Sequence, residues 1–273
     1  MKKLLIILIL ALAFIQAKAQ VSLAPTAVYL DRNGMGTLFV SNNSGVPQEI
    51  NISFQFGYPD EDQFGVLIMR YDDTANAKNH SLESMVKAFP RTFILPPNQT
   101  QQIRLQVRPN KDQKHGVYFT RLKVGSTPQI ADVGVTDVQG VNTRISVKFE
   151  QVIVAFYKVG QVSTGVKVDR IDAQADSNIL RLDAHYQTSG NGPYVGMVKF
   201  KVTAPDGNVV AEGSRSVSLY FSGRRRYSFA LPGKVPSGNY QVELRYETTR
   251  NDIAQEDLVE AAPYTYKATV RIP

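Results

Sequence analysis

Hydrophobic and polar positions alternate with a period of two along most of the chain after residue 20. From Glu49 to Phe56, for example, Ile50, Ile52 and Phe54 fall on one face. Such alternation predicts half-buried β-strands, because successive strand side chains point to opposite faces. Strand-like runs, separated by turn signals such as Asn33-Gly34, occupy residues 21–30, 37–40, 49–56, 91–109, 116–124, 143–158, 166–168, 179–186, 194–204, 209–212, 217–221, 227–231, 240–248 and 264–272.

This spacing predicts an all-β protein made of two immunoglobulin-like β-sandwich domains. Roughly seven short strands with turn signals every 8–12 residues are typical of one such sandwich. A second set of strands starts after Val159-Gly160, and the two halves share no repeat that can be aligned. We therefore predict a first domain over residues 20–158 and a second over residues 159–273.

The longest predicted strand runs from Thr143 to Lys158. In its first half, Ile145, Val147 and Phe149 alternate with Ser146, Lys148 and Glu150. A strand of this kind either packs in its own domain or donates its apolar side chains to another chain. The alternation alone is compatible with both interpretations.

Two stretches of the first half depart from the strand pattern. One predicts a short helix with Ser81 as N-cap, ended by Pro90, with apolar residues at helical spacing, Leu82, Met85, Val86 and Phe89. The other, residues 57–78, carries acidic residues without the glycine and ligand spacing of a calcium-binding loop. It predicts a solvated loop that contains Asp60, Glu61, Asp62, Asp72 and Asp73.

The first nineteen residues have the pattern of a cleaved secretory signal. A basic start, Met1-Lys2-Lys3, precedes an apolar run from Leu4 to Ile15 and the small-residue site Ala17-Lys18-Ala19. The apolar run is shorter than the roughly 20 residues of a membrane-spanning helix. We therefore expect cleavage before Gln20 and a periplasmic location for the mature protein.

Composition excludes several classes of chemistry. The 273 residues contain no cysteine, which excludes disulfides, thiol catalysis and thiolate metal sites. The net charge of +7 falls to +4 without Lys2, Lys3 and Lys18, from 28 Lys and Arg against 24 Asp and Glu. This weak charge argues against a nucleic-acid partner.

No catalytic motif is visible in the sequence. The three histidines, His80, His115 and His185, lie in different segments, and neither a nucleophile elbow nor a glycine-rich phosphate loop is present. We predict no enzyme activity, catalytic residue, metal, cofactor or small-molecule substrate. The basic run Arg224-Arg225-Arg226 is expected to decorate a hairpin, or alternatively to contact lipid headgroups or a carboxylate.

Three blocks resemble PapD-like periplasmic pilus-assembly chaperones. They are residues 89–105, with Leu95-Pro96 and Gln101 to Arg104, the strand end Ile153 to Lys158, and the opening strands Val21 to Asn42. The resemblance implies two immunoglobulin-like domains in a boomerang arrangement. It also implies that the last strand of the first domain donates apolar side chains to an incomplete pilus subunit.

Carried over to this sequence, the donor positions are Ile145, Val147 and Phe149. The two cations with which the family holds the client's terminal carboxylate fall on Thr26 and Val154, and neither residue is basic. Residues expected to replace them are Arg144, Lys148 and Lys158.

The resulting hypothesis is an exported chaperone or assembly factor that caps a surface-protein or pilin-like client by strand donation. An outer-membrane assembly protein is a second candidate partner. The alternative hypothesis is a structural or adhesive component of a cell-surface assembly or secretion machine. A third, a glycan hydrolase, would need a paired-carboxylate cleft.

Overall fold

The computed structural model describes residues 20–110, 112–129 and 147–272. The first half contains β1 (Val21–Ala24), β2 (Ala27–Leu30), β3 (Met35–Asn42), β4 (Gln48–Gln55), β5 (Tyr58–Glu61), β6 (Leu67–Arg70), α1 (Thr74–His80), β7 (Val86–Phe89), β8 (Thr92–Leu95), β9 (Thr100–Val107), β10 (Gly116–Pro128) and β11 (Phe149–Val159). The second half contains β12 (Thr164–Asp176), β13 (Ile179–Gly190), β14 (Tyr194–Thr203), β15 (Val209–Leu219), β16 (Gly223–Ala230), β17 (Gly238–Glu247), a 3-10 turn (Gln255–Asp257) and β18 (Tyr264–Ile272).

The strands of the first half form a sandwich with an added hairpin. One sheet has the order β1-β3-β9-β7, the facing sheet has the order β2-β11-β10-β4-β8, and β5 and β6 pair only with each other. The strand pairs are antiparallel except that β2 runs parallel to β11. The apolar faces of the two sheets enclose a core that includes Leu38, Ile50, Ile52, Ile103, Leu105 and Leu122, each 0% exposed.

The strands of the second half form a separate sandwich. Its sheets have the orders β12-β13-β16 and β15-β14-β17-β18. Its core combines aliphatic residues with five buried tyrosines, Tyr186, Tyr194, Tyr227, Tyr240 and Tyr246. The predicted all-β class with two immunoglobulin-like sandwiches is therefore confirmed.

The expected single strand over residues 21–30 is wrong, because the chain changes sheets in its middle. β1 pairs with β3 in one sheet, whereas β2 pairs with β11 in the other. The break falls at Pro25, which has no backbone N–H to donate to a strand ladder. The expected turn at Asn33-Gly34 is confirmed, with Gly34 at a φ of 73°.

The helix predicted after Ser81 is also wrong. The helix in this region is α1, which lies before Ser81 in the chain, and Ser81 is its C-cap. It begins at Asp73, whose Oδ1 accepts a hydrogen bond of 2.9 Å from the backbone N–H of Asn76. The apolar residues after Ser81 fit a strand equally well, and pairing with β9 decides in favour of β7.

The acidic stretch is an ordered hairpin and helix instead of the predicted solvated loop. Asp60 lies in β5 and accepts a 2.8 Å hydrogen bond from Arg70 Nε in β6. Asp73 caps α1, and the Glu61 side chain is only 4% exposed. The sequence did not predict this order because the partners of Glu61 come from the second sandwich.

Candidate functional site

β11 is the described part of the long strand predicted over residues 143–158. It pairs with β10 along its whole length, from Phe149 opposite Ser126 to Val159 opposite Gly116. On its other edge, β2 covers only residues 154–157. Among the described residues, no strand covers the outer edge of β11 before Val154.

The apolar face of β11 continues beyond the core of its own sandwich. Ile153, Ala155 and Tyr157 are buried in that core. Phe149, at the start of β11 and on the same face, is 45% exposed, and Val147, just before the strand begins, is 50% exposed. The predicted donor position Ile145 lies outside the described residues.

Gln151 lies where the covered part of this face ends. Its Nε2 donates a 2.7 Å hydrogen bond to the backbone carbonyl of Val21 in β1, which belongs to the facing sheet. This bond links the two sheets at the rim of the sandwich. The apolar face that emerges beyond the rim has no facing sheet in the described part of the chain.

The predicted replacement cations are in different environments. Lys148 is exposed, and its Cε is 2.9 Å from the position that a Cβ on Gly125 would take. Lys158 Nζ donates to the carbonyls of Glu256 and Leu258 at 2.8 and 2.9 Å, and burial lowers the pKa of this lysine. Arg144 lies outside the described residues.

Thr26 and Val154, where the resemblance expects cations, come together at one cavity between the two sandwiches. The cavity has a volume of about 440 Å³. Its basic side chains come from positions that the sequence did not indicate, Arg121 in β10 and Arg250 after β17. Other residues around it include Tyr29, Phe156, Tyr220 and Asp252.

Arg121 is a buried cation at this cavity. It is 8% exposed, and it enters the site because it lies opposite Val154 in the pairing of β10 with β11. Its Nε donates to the carbonyl of Gly57 at 2.8 Å, and its Nη2 donates to the hydroxyl of Tyr220 at 3.0 Å. In the described part of the chain, both of its hydrogen-bond partners are neutral, so its charge has no paired carboxylate.

Arg250 is paired, unlike Arg121. Its Nε and Nη2 donate to the two carboxylate oxygens of Asp252 at 2.7 and 2.5 Å. This hydrogen bonding raises the pKa of Arg250 and lowers the pKa of Asp252. The pair adds little net charge to the cavity, and Asp257 also lines it, so Arg121 is the buried cation there that has no carboxylate partner among the described residues.

A second group of arginines joins the sandwiches, and we call it the arginine clamp: Arg224, Arg225 and Arg226 with Glu61 and Asp183. Arg226 Nε and Nη2 each lie 2.6 Å from an oxygen of Asp183. The backbone N–H of Arg226 donates to the Glu61 carboxylate at 2.9 Å, and Arg225 Nη1 lies 3.4 Å from it. The expectation that these arginines decorate a hairpin is therefore wrong; they are partly buried in β16 and bind carboxylates of this chain.

The pKa values of the two carboxylates in the clamp are shifted in opposite directions. Burial raises the pKa of Glu61, although Arg226, Arg225 and Arg224 all act to lower it. Burial also acts to raise the pKa of Asp183, but hydrogen bonds and charge from Arg226 outweigh it and leave that pKa below its ordinary value.

Aromatic side chains fill the remaining contact between the sandwiches. The cluster contains Phe56, Tyr58, Phe119, Phe156 and Tyr220, with Val117 and Val259. His80 lies at its edge, 5.5 Å from the ring centroid of Phe221 and 6.3 Å from that of Phe119. Burial lowers the pKa of His80.

Two further features are absent from the part of the chain that the structure describes. Within residues 20–110, 112–129 and 147–272, no group of three or more His, Asp or Glu side chains could hold a metal ion. Over the same ranges, no helix has the length and apolar character needed to cross a membrane.

Comparison with known proteins gives structural matches only. No protein-family model and no curated protein matches the sequence. The structure is similar to the YadV chaperone (12% identity, 92% of this chain and 100% of that chain, TM-score 0.48). It is also similar to the E. coli chaperone DraB (14%, 91% and 95%, TM-score 0.43) and to a chain in the complex of Salmonella enterica SafA pilin with the SafB chaperone (16%, 92% and 97%, TM-score 0.42).

Proposed function

We propose that this protein is an exported, non-enzymatic chaperone or assembly factor that caps a pilin-like surface protein by β-strand donation from β11 and the residues before it. The class of client comes from the sequence resemblance to PapD-like chaperones. An outer-membrane assembly protein that receives the client is part of the same proposal.

The exposure of Val147 and Phe149 carries this proposal. If the alternating face only completed the domain's own core, these two side chains would be buried like Ile153 and Ala155. They are instead about half exposed, at the point where the facing sheet ends. Inserting such a side chain into a client groove contributes roughly 1.5–3 kcal/mol of apolar transfer before the costs of binding.

The uncovered edge of β11 supports the same mode of binding. Because β2 reaches only from residue 154 to residue 157, the outer backbone edge before Val154 can accept a client strand. A client strand on this edge would end beside the cavity of Thr26 and Val154. There Arg121, whose described partners are neutral, can bind a client carboxylate in place of the two expected cations.

Three finer points belong to the proposal. The signal segment is cleaved before Gln20 and the mature protein is periplasmic, which N-terminal sequencing of the exported protein would test. The domains are residues 20–158 and 159–273, a division supported by two sandwiches whose sheets share no strand, with β11 of the first ending at Val159. Ile145 is the third donor residue.

The central test compares Val147→Asp with a matched control, Val209→Asp, which alters another exposed valine (47% exposed) in the second sandwich. We expect both variants to keep the free energy of unfolding within about 0.5 kcal/mol of wild type in urea titrations. Client copurifying with a tagged chain from its native envelope, quantified by mass spectrometry, should fall about tenfold or more for Val147→Asp only.

Ile145→Asp provides the second donor variant. Retention of the client by both aspartate variants would contradict strand donation, and so would unfolding of the isolated protein by both. A pulse-chase of the client distinguishes the alternative function. A chaperone loses its client as assembly proceeds, whereas a structural or adhesive component stays in the final complex.

A further inference from the structure

β6 and the turn before it expose a run of large apolar side chains. The exposed fractions are 68% for Phe64, 56% for Val66, 60% for Leu67, 37% for Ile68 and 39% for Met69. Both faces of β6 are therefore apolar and open to solvent. A contiguous apolar patch of this kind on a soluble protein marks an interaction surface.

The outer edge of β6 also has unpaired backbone groups. Asp62 N–H donates to the Val66 carbonyl at 3.0 Å, and hydrogen-bonded pairs alternate along an antiparallel ladder. Ile68 and Arg70 therefore direct their backbone groups towards β5, and Leu67 and Met69 direct theirs outwards. No other strand of the described chain pairs with β6.

The hairpin is held in place although its tip is apolar. Arg224 Nη2 donates to the carbonyl of Asp62 at 2.6 Å, and Arg226 Nη1 donates to the carbonyl of Phe64. Asp62 Oδ1 accepts hydrogen bonds from the N–H groups of Phe64 and Val66 at 2.8 and 2.9 Å. The apolar edge is thus presented in a fixed conformation, which lowers the entropy cost of binding.

We propose that β6 is the contact surface of a reversible homodimer, in which it pairs antiparallel with β6 of a second copy about a two-fold axis at Ile68. Leu67 and the partner's Met69 then exchange hydrogen bonds, because both direct their backbone groups outwards. Ile68 faces the partner's Ile68 as a non-hydrogen-bonded pair. The two hairpins form one continuous four-stranded sheet.

The sequence of the hairpin favours a second copy as the occupant. In this register Leu67 lies opposite the partner's Met69 on one face, and Ile68 lies opposite the partner's Ile68 on the other, so the central apolar contact is self-complementary, as an isologous contact requires. Arg70 lies opposite the partner's Val66 and stays paired with Asp60 of its own chain, so the register places no two like charges opposite each other. The neighbouring arginines are already paired with carboxylates, which removes the positive surface that an anionic bilayer would need.

A disulfide test uses the absence of cysteine from the chain. At a non-hydrogen-bonded antiparallel pair the two Cα atoms are about 4.5 Å apart, within disulfide range. Full-length Ile68→Cys should therefore form a covalent dimer on mild oxidation. Ile94→Cys, at another exposed isoleucine (55% exposed) on the edge strand β8, is the matched control and should stay mostly monomeric.

Sedimentation velocity tests the unmodified contact. A contact this small predicts a dissociation constant on the order of 10–100 µM for the wild-type dimer. Leu67→Pro removes an outward N–H without touching the pairing with β5, and it should weaken the dimer at least about tenfold. Circular dichroism should show that this variant keeps its fold.

The proposal is overturned if the wild type sediments as a monomer at concentrations well above this range. It is equally overturned if Ile68→Cys crosslinks no faster than Ile94→Cys, or if Leu67→Pro, still folded, dimerises like wild type. Insertion of the patch into a bilayer or capture of a foreign strand would give the first of these results. None of them bears on strand donation from β11, which is tested separately.

Discussion

Two arginine sites lie at the junction of the sandwiches, and they differ in what balances their charge. In the arginine clamp, Glu61 and Asp183 bind the guanidinium and backbone groups of β16, and their side chains are 4% and 9% exposed. At the cavity, Arg121 is equally buried but hydrogen-bonds to a carbonyl and a hydroxyl. The clamp pairs its charges within the chain, whereas Arg121 has no carboxylate partner among the described residues.

This difference separates a structural role from a binding role. Removing one member of a buried ion pair leaves an uncompensated charge and is costly. Replacing a buried cation that has only neutral partners costs the fold much less, because no opposite charge is left behind. The two sites should therefore respond in opposite ways to substitution.

The largest expected effect is at the clamp. Asp183→Asn should lower the free energy of unfolding by about 3 kcal/mol, because Arg226 and Arg224 lose their carboxylate. Urea unfolding followed by tyrosine fluorescence measures this change. The matched control is Asp176→Asn, at an exposed carboxylate paired with Arg181, and should cost below about 0.5 kcal/mol. Equal effects at the two positions would show that the clamp is not a distinct stabilising unit.

An intermediate effect is expected at the cavity, on binding. Arg121→Met should change the free energy of unfolding by about 1 kcal/mol or less and reduce client copurification about tenfold. Arg250→Met removes a charge that Asp252 already compensates, so its effect on the client should be smaller. Competitive copurification with differently tagged chains measures both. A stability loss at Arg121 as large as that at Asp183 would contradict the comparison.

The smallest effect is expected from pH at the aromatic contact. Burial lowers the pKa of His80 in the folded protein. Below about pH 6.5, His80 is therefore protonated to a greater extent in the unfolded chain than in the folded protein. The free energy of unfolding should then fall as the pH decreases, by less than about 1 kcal/mol between pH 7.5 and 5.5. His80→Phe should remove this part of the pH dependence, measured by urea titration at each pH. The same substitution at exposed His115 is the control, and an identical pH profile for wild type and His80→Phe would contradict this assignment.

The sequence predicted the class of fold well, because period-two alternation depends on local geometry alone. It misplaced the helix, since Leu82, Met85 and Val86 satisfy helical spacing as well as the turn and strand in which they lie. Only the pairing of β7 with β9 resolves that ambiguity, and this pairing is not local.

The candidate site combines residues that the sequence indicated with one that it did not. The alternation of Val147 and Phe149 is compatible with a donor strand, and their binding to a client stays a prediction. Arg121 was not predicted, because its place at the cavity depends on its register opposite Val154 and on contact with Tyr220, 99 residues away in sequence. The sequence signal was weak, because β10 carries a second cation, Lys123, two residues after Arg121.

The arginine clamp also has a consequence for the order of folding. Its partners are far apart along the chain, with Glu61 and Arg226 separated by 165 residues. A chain that is synthesised from its N-terminus completes the first sandwich while the arginines are still absent. Glu61 must stay hydrated until β16 arrives, so the final orientation of the two sandwiches is a late, long-range folding step.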